Sequence, residues 1–228
     1  MSLYLLGGFG PTIAAPIAVA LTSRGSYKND YLERLLRWRV GFTWWLAVFA
    51  VPVLFAAGKE WIAVWTGGGT VAASTLEPAA KAFLFFPTMI IGGGLEELGW
   101  RGVAQPEIER WLPRFPATLV VGAAWALWHL PLFHIHGVSQ FGDDLPLFAA
   151  DVLANAFLLA WIYARTRSIL LCVIAHAASN TATAMGFVAT ASHAAMPLWI
   201  ATLAKLSVAA ILLAVAGPRP PGAADADR

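Results

Sequence analysis

The 22 residues from Ala79 to Trp100 read AAKAFLFFPTMIIGGGLEELGW. A long apolar run follows Lys81 and ends in three glycines and two adjacent glutamates. An α-helix needs about 20 largely apolar residues to cross a bilayer. Stretches of that kind recur on both sides of this one, giving candidate spans at Leu3–Thr22, Val40–Ala57, Ala79–Trp100, Pro116–Phe133, Leu145–Ala164, Ser168–Val188 and Ala194–Ala216. None shows the short alternating segments of a membrane barrel. The chain therefore reads as all-α: a polytopic transmembrane helical bundle of about seven spans. One integral membrane domain covers 1–216, its motif-bearing core covers about 79–188, and 217–228 is a disordered cytoplasmic tail. Composition agrees, because 59% of the 228 residues are hydrophobic and only 12% are charged, against about 25% charged in a soluble domain. Cys172 is the only cysteine, which excludes a disulfide-stapled scaffold. A net charge of +2 on scattered Lys and Arg gives no support to nucleic-acid binding.

The basic residues orient the chain, since loops kept in the cytoplasm hold the excess of Lys and Arg. Arg24, Lys28, Arg34, Arg37 and Arg39 fall in the first loop, Arg101, Arg110 and Arg114 in the third, Arg165 and Arg167 in the fifth, and Arg219 and Arg228 in the tail. These make 12 of 15. Lys59 and Lys81 flank the second loop, and Lys205 lies inside the last span. The expectation is a multi-pass protein of the cell membrane with a cytoplasmic C-terminus. Trp38, Trp44, Trp45, Trp61, Trp65 and Trp111 lie near span ends, as an interfacial aromatic belt requires.

Ionisable residues at membrane depth are costly and point to function. Glu96, Glu97 and Arg101 lie in or just after the third span, His129 in the fourth, Asp151 with Asn155 in the fifth, and His176 with Asn180 in the sixth. Glu97 precedes Arg101 by four residues, the favoured order for a helical ion pair. Glu96 points about 100° away and is the less neutralised carboxylate. His176 and Asn180 share a helix face and offer donors to a developing oxyanion, or else serve as interhelical glue. His134, His136 and His193 fall at outer ends and read as solvated. If the third span continues as helix past Trp100 toward Arg110, with a local kink at Pro106, Glu96, His129 and His176 lie about 21, 20 and 14 Å above the cytoplasmic interface at 1.5 Å per residue. One carboxylate and two imidazoles then share a layer inside the bundle.

The series Glu96-Glu97-Leu-Gly-Trp-Arg101, Trp125-x-x-x-His129 and His176-x-x-x-Asn180 resembles the CAAX protease and bacteriocin-processing (CPBP, or ABI) family of intramembrane proteases. That family carries Glu-Glu-x-x-x-Arg, Phe-x-x-x-His and His-x-x-x-Asn in this order. Gly8-Phe-Gly-Pro-Thr12, Leu36-Arg-Trp-Arg-Val40 and Trp128-His-Leu-Pro131 are similar to prokaryotic members as well. Trp125 stands where the family usually has Phe, and is expected to alter a packing wall and leave the chemistry unchanged. Members commonly have a further helix before the Gly8–Thr12 segment, which would put both termini in the cytoplasm.

The resemblance implies an intramembrane endopeptidase. Glu96 and His129 would activate water, His176 and Asn180 would stabilise the oxyanion, and Glu97 and Arg101 would give structural support. Its partners would be the lipid bilayer and a peptide or membrane-protein substrate. No cofactor is one reading; zinc held by Glu96, His129 and His176 with an open fourth position is the other. Because a ligating Glu96 could not also accept the proton, the metal-free form is favoured. A different class remains open: a non-catalytic membrane scaffold, immunity protein or carrier using the same polar layer. The i, i+4 pair of Asp151 and Asn155 suits that class best. A carrier should show inverted repeats and broken helices, and Gly92–Gly94 is the single interruption of that kind.

Overall fold

The computed structural model describes residues 8–22, 25–67, 77–185 and 195–217. Residues 3–7 of the first expected span, the end of the sixth with Val188, His193 and the tail from 218 onward lie outside the described residues. The described residues are helical, with no strand among them. We number the helices α1 (Gly10–Leu21), α2 (Gly25–Leu35), α3 (Phe42–Gly67), α4 (Glu77–Gly92), α5 (Arg114–Trp128), α6 (Leu145–Thr166), α7 (Ile169–Met185) and α8 (Ala195–Val215). Between α4 and α5 the chain stays helical but irregular: a 3-10 turn at Gly94–Glu96, an α turn at Glu97–Gly99, a π turn at Trp100–Ala104 and an α turn at Gln105–Ile108.

Among the described residues, five stretches are long and apolar enough to cross a membrane: Phe42–Thr66, Ala82–Ile108, Arg114–His134, Leu145–Thr166 and Met196–Val215. Gly10–Leu21 and Ile169–Ala184 are apolar but shorter. These correspond in order to the seven expected spans, with shifted ends. The second runs ten residues beyond Ala57, to Gly67, so Lys59 lies inside a helix and not beside a loop. The third is not one helix to Trp100. It breaks at Gly93 and continues to Ile108. The fourth is α-helical only to Trp128 and ends in a 3-10 turn at Leu130–His134, which leaves His129 at the joint.

Each irregularity has a local cause. A Cβ on Gly94 would lie 2.8 Å from the Val173 carbonyl of α7, so only a glycine allows the two backbones to pack this closely. Pro106 has no N–H and cannot bond the carbonyls of Arg101 or Gly102, which precede it by five and four residues. The helix widens there into the π turn, with the Gln105 N–H bonded to the Trp100 carbonyl. The Gly102 carbonyl takes the Arg34 Nη1–H instead, at 3.0 Å.

The core sits on α6 and α7. Ala154, Ala156, Phe157, Leu158, Leu159, Ala160 and Ile162 of α6 are at most 1% exposed. Small residues bring neighbours close, the interface preference of membrane helices: a Cβ on Gly122 of α5 would meet the Ala156 Cβ at 3.0 Å. Large apolar side chains point outward from the spans, among them Phe83, Leu84, Ile211 and Val215. Water would penalise that surface and lipid does not. Helix α2 is the polar exception: its Arg34 is 2% exposed and bonds Asp30 Oδ2 at 2.6 Å, the Gly102 carbonyl, and the Tyr163 hydroxyl at 2.8 Å. Arg34 and Arg101 are thus buried in protein and are not free loop cations.

Candidate active site

The break at Gly93 places the two glutamates side by side on the short turns that follow, both buried. Glu97 and Arg101 are fully buried, and Arg101 Nη1 lies 3.2 and 3.0 Å from the two Glu97 oxygens. Arg101 Nη2 donates to the Ala156 carbonyl of α6 at 2.9 Å, and its guanidinium sits 5.3 Å from the Trp125 ring centroid. A buried charge needs a partner and hydrogen bonds on its remaining sites. Arg101 has both.

His176 of α7 adds a contact that sequence spacing does not show: its Nδ1 lies 2.9 Å from Glu97 Oε1. An ionised carboxylate only accepts, so Nδ1–H is the donor and Nε2 is the free ring nitrogen. Nε2 faces the glycine break, because a Cβ on Gly93 would lie 3.1 Å from it and 2.4 Å from Asn180 Nδ2. His176 and Asn180 therefore converge on the Gly93 backbone, and any larger residue at 93 would fill the space in front of them. His129, at the α5 joint, has Nδ1 2.9 Å from the Trp125 carbonyl. By the same rule Nδ1 carries the hydrogen and Nε2 is left free.

Glu96 is bound differently from Glu97. Among the described residues its carboxylate has no ion pair; its Oε2 accepts the Trp125 indole N–H at 2.8 Å and the Trp100 indole N–H at 3.3 Å. The Trp125 ring is also edge-on to His176, with centroids 5.0 Å apart, and 6.1 Å from His129. The expectation that Trp125 acts only as a packing wall is therefore corrected: it hydrogen-bonds the candidate base. Glu96, His129 and His176 surround this indole, with Asn180 one turn beyond His176. His129 and Asn180 keep partial exposure while Glu97 and Arg101 keep none, so protein does not close the cluster off at these two residues.

Two features bear on metal binding. Each histidine has its Nδ1 held by an oxygen, the second-shell arrangement of metal-ligating histidines. Yet among the described residues no three His, Cys, Asp or Glu side chains lie close enough to hold an ion. Glu96, His129 and His176 do not form a ligand set in this arrangement.

Asp151 and Asn155 lie apart from this cluster in their contacts. Their mutual hydrogen bond is long, 3.5 Å. The main partners of Asp151 are Lys59 of α3 at 2.9 Å and Lys205 of α8 at 3.1 Å, which sequence spacing could not pair across 92 and 54 positions. His134 and His136 are exposed, as expected.

Comparison with known proteins follows the same residues. The family model described as "Type II CAAX prenyl endopeptidase Rce1-like" matches residues 78–182, a stretch that contains all three motifs. "CAAX prenyl protease 2" of Methanococcus maripaludis is 26% identical over 192 residues, covering 77% of this chain and 69% of that protein. The match runs through each of the motifs that meet around one indole, so over its motif-bearing core the chain is similar to the Rce1-like CAAX prenyl endopeptidases.

Proposed function

We propose that the protein is an intramembrane endopeptidase in which Glu96 and His129 activate one water and His176 and Asn180 hold the oxyanion. The observation that carries the proposal is the division between the two adjacent glutamates. Glu97 is locked between Arg101 and His176, whereas Glu96 has only neutral indole donors among its described partners and keeps the capacity to take a proton. Glu96 accepts a proton from water as the oxygen adds to the scissile carbonyl. The negative charge that develops on the carbonyl oxygen is met by the amide of Asn180 and by the His176 ring, which the Glu97 carboxylate orients through Nδ1. The proton then passes to the leaving nitrogen as the C–N bond breaks. A water-poor setting strengthens each of these interactions.

The substrate class is a peptide or membrane protein that reaches this layer from the cytosol, in a cell membrane where Arg110 and the C-terminus face the cytoplasm. Purified protein in liposomes, incubated with a peptide library, is expected to release fragments that Glu96→Gln does not release, with or without chelator. Equal release by Glu96→Gln would end this reading, and loss of release only with chelator would move it to a metal-dependent form.

A further inference from the structure

We propose that Trp125 is a positioning residue that holds the two members of the water-activating pair at a fixed distance and angle. This rests on the reading of Glu96 and His129 given above. One residue contacts both: the indole N–H of Trp125 donates to Glu96 Oε2 at 2.8 Å, and its backbone carbonyl takes the His129 Nδ1–H at 2.9 Å. Glu96 lies after the Gly93 break and His129 at the end of α5, so the two belong to elements that could otherwise move independently. Trp100 cannot replace this link. Its N–H is 3.3 Å from the same oxygen and comes from one turn further along the segment that carries Glu96, so it moves with the carboxylate.

The ring is itself held in place. Trp125 is 3% exposed, its face lies near the buried Arg101 guanidinium and its edge near His176. An indole fixed on two sides aims its single N–H in one direction, and a hydrogen bond to a carboxylate from a fixed donor is stronger than a neutral one. Phenylalanine at 125 would keep an aromatic ring in this place and the backbone carbonyl, and would remove the N–H link to Glu96.

Two measurements on Trp125→Phe test this. With protein carrying ¹⁵N-labelled tryptophan, the indole cross-peak that disappears in Trp125→Phe should move when Glu96→Gln is introduced into the wild-type chain. In peptide cleavage, kcat of Trp125→Phe should fall about 10- to 100-fold, the equivalent of one hydrogen bond to a charged group, with KM within about twofold. Trp100→Phe should lose less than about threefold, as its longer contact requires. An unmoved cross-peak overturns the tether, and a kcat within about twofold of wild type overturns its role in positioning. If wild-type protein cleaves nothing, the protease reading fails, and the cross-peak still decides whether Trp125 holds Glu96.

Discussion

Two neighbouring carboxylates in one apolar layer differ because of what surrounds each. Glu97 shares its oxygens with a guanidinium and an imidazole; Glu96 meets two indoles. Arg101→Ala would leave Glu97 as a buried charge with His176 as its only described partner, a change of the kind that costs about 3–5 kcal/mol. Glu96→Gln keeps volume and can still accept from Trp125. Thermal denaturation in detergent is therefore expected to show a large loss for Arg101→Ala and a small one for Glu96→Gln, while both lose cleavage. Equal thermal losses would mean that the two glutamates are not divided in this way. The i, i+4 spacing of Glu97 and Arg101 made this ion pair legible in the sequence. The His176 contact was not, because it joins residues 79 positions apart. The role of Trp125 was hidden for another reason: substitution of one large aromatic for another reads as packing until the position of the N–H is known.

The segment from Gly93 to Ile108 is where helical regularity is given up, and it holds both glutamates and Arg101. Apolar content predicted that a span would be here, and the glycines marked its interruption. The π turn could be read only in part, since Pro106 announces a disturbance but not which donor replaces its missing N–H. That donor comes from Arg34, on a helix that composition alone assigned to a basic loop. Arg34→Ala is expected to cost about 1.5–3 kcal/mol for each charged hydrogen bond it leaves unmade in the interior. Lysine should not restore the loss, because one ammonium cannot match the fork that reaches Asp30, Gly102 and Tyr163 together. Pro106→Ala supplies a backbone N–H to the Gly102 carbonyl, so Arg34→Ala should cost less in that background. Additive losses in this double-mutant cycle would show that the two residues do not serve the same carbonyl.

Across the whole molecule, the expected bundle and its seven apolar segments are present, while the long-range ion pairs inside it emerge only from the packing. Lys59, Asp151 and Lys205 join α3, α6 and α8. Asp151→Asn leaves two ammonium groups without their carboxylate and should cost about 3–5 kcal/mol, whereas replacing all three by apolar residues of similar size should cost little. Thermal melts of the two variants compare these outcomes; equal destabilisation would mean that the cluster acts by more than charge pairing. The orientation drawn from the basic residues is tested by single cysteines at Gly137 and Arg110, against a native Cys172 that is buried. An impermeant reagent added to intact cells should label Gly137→Cys and leave Arg110→Cys unlabelled, and the reverse pattern would invert the topology.

In the proposed mechanism Glu96 and His129 act on the same water molecule. The direct measurement is the cleavage rate, in liposomes, of Glu96→Gln, His129→Ala and the double variant. Residues that work as a unit lose most of the rate when either is removed and little more when both are. The double variant is expected to be about as slow as the slower single variant. A double variant slowed by the product of the two single effects, or wild-type cleavage by Glu96→Gln, would contradict that mechanism.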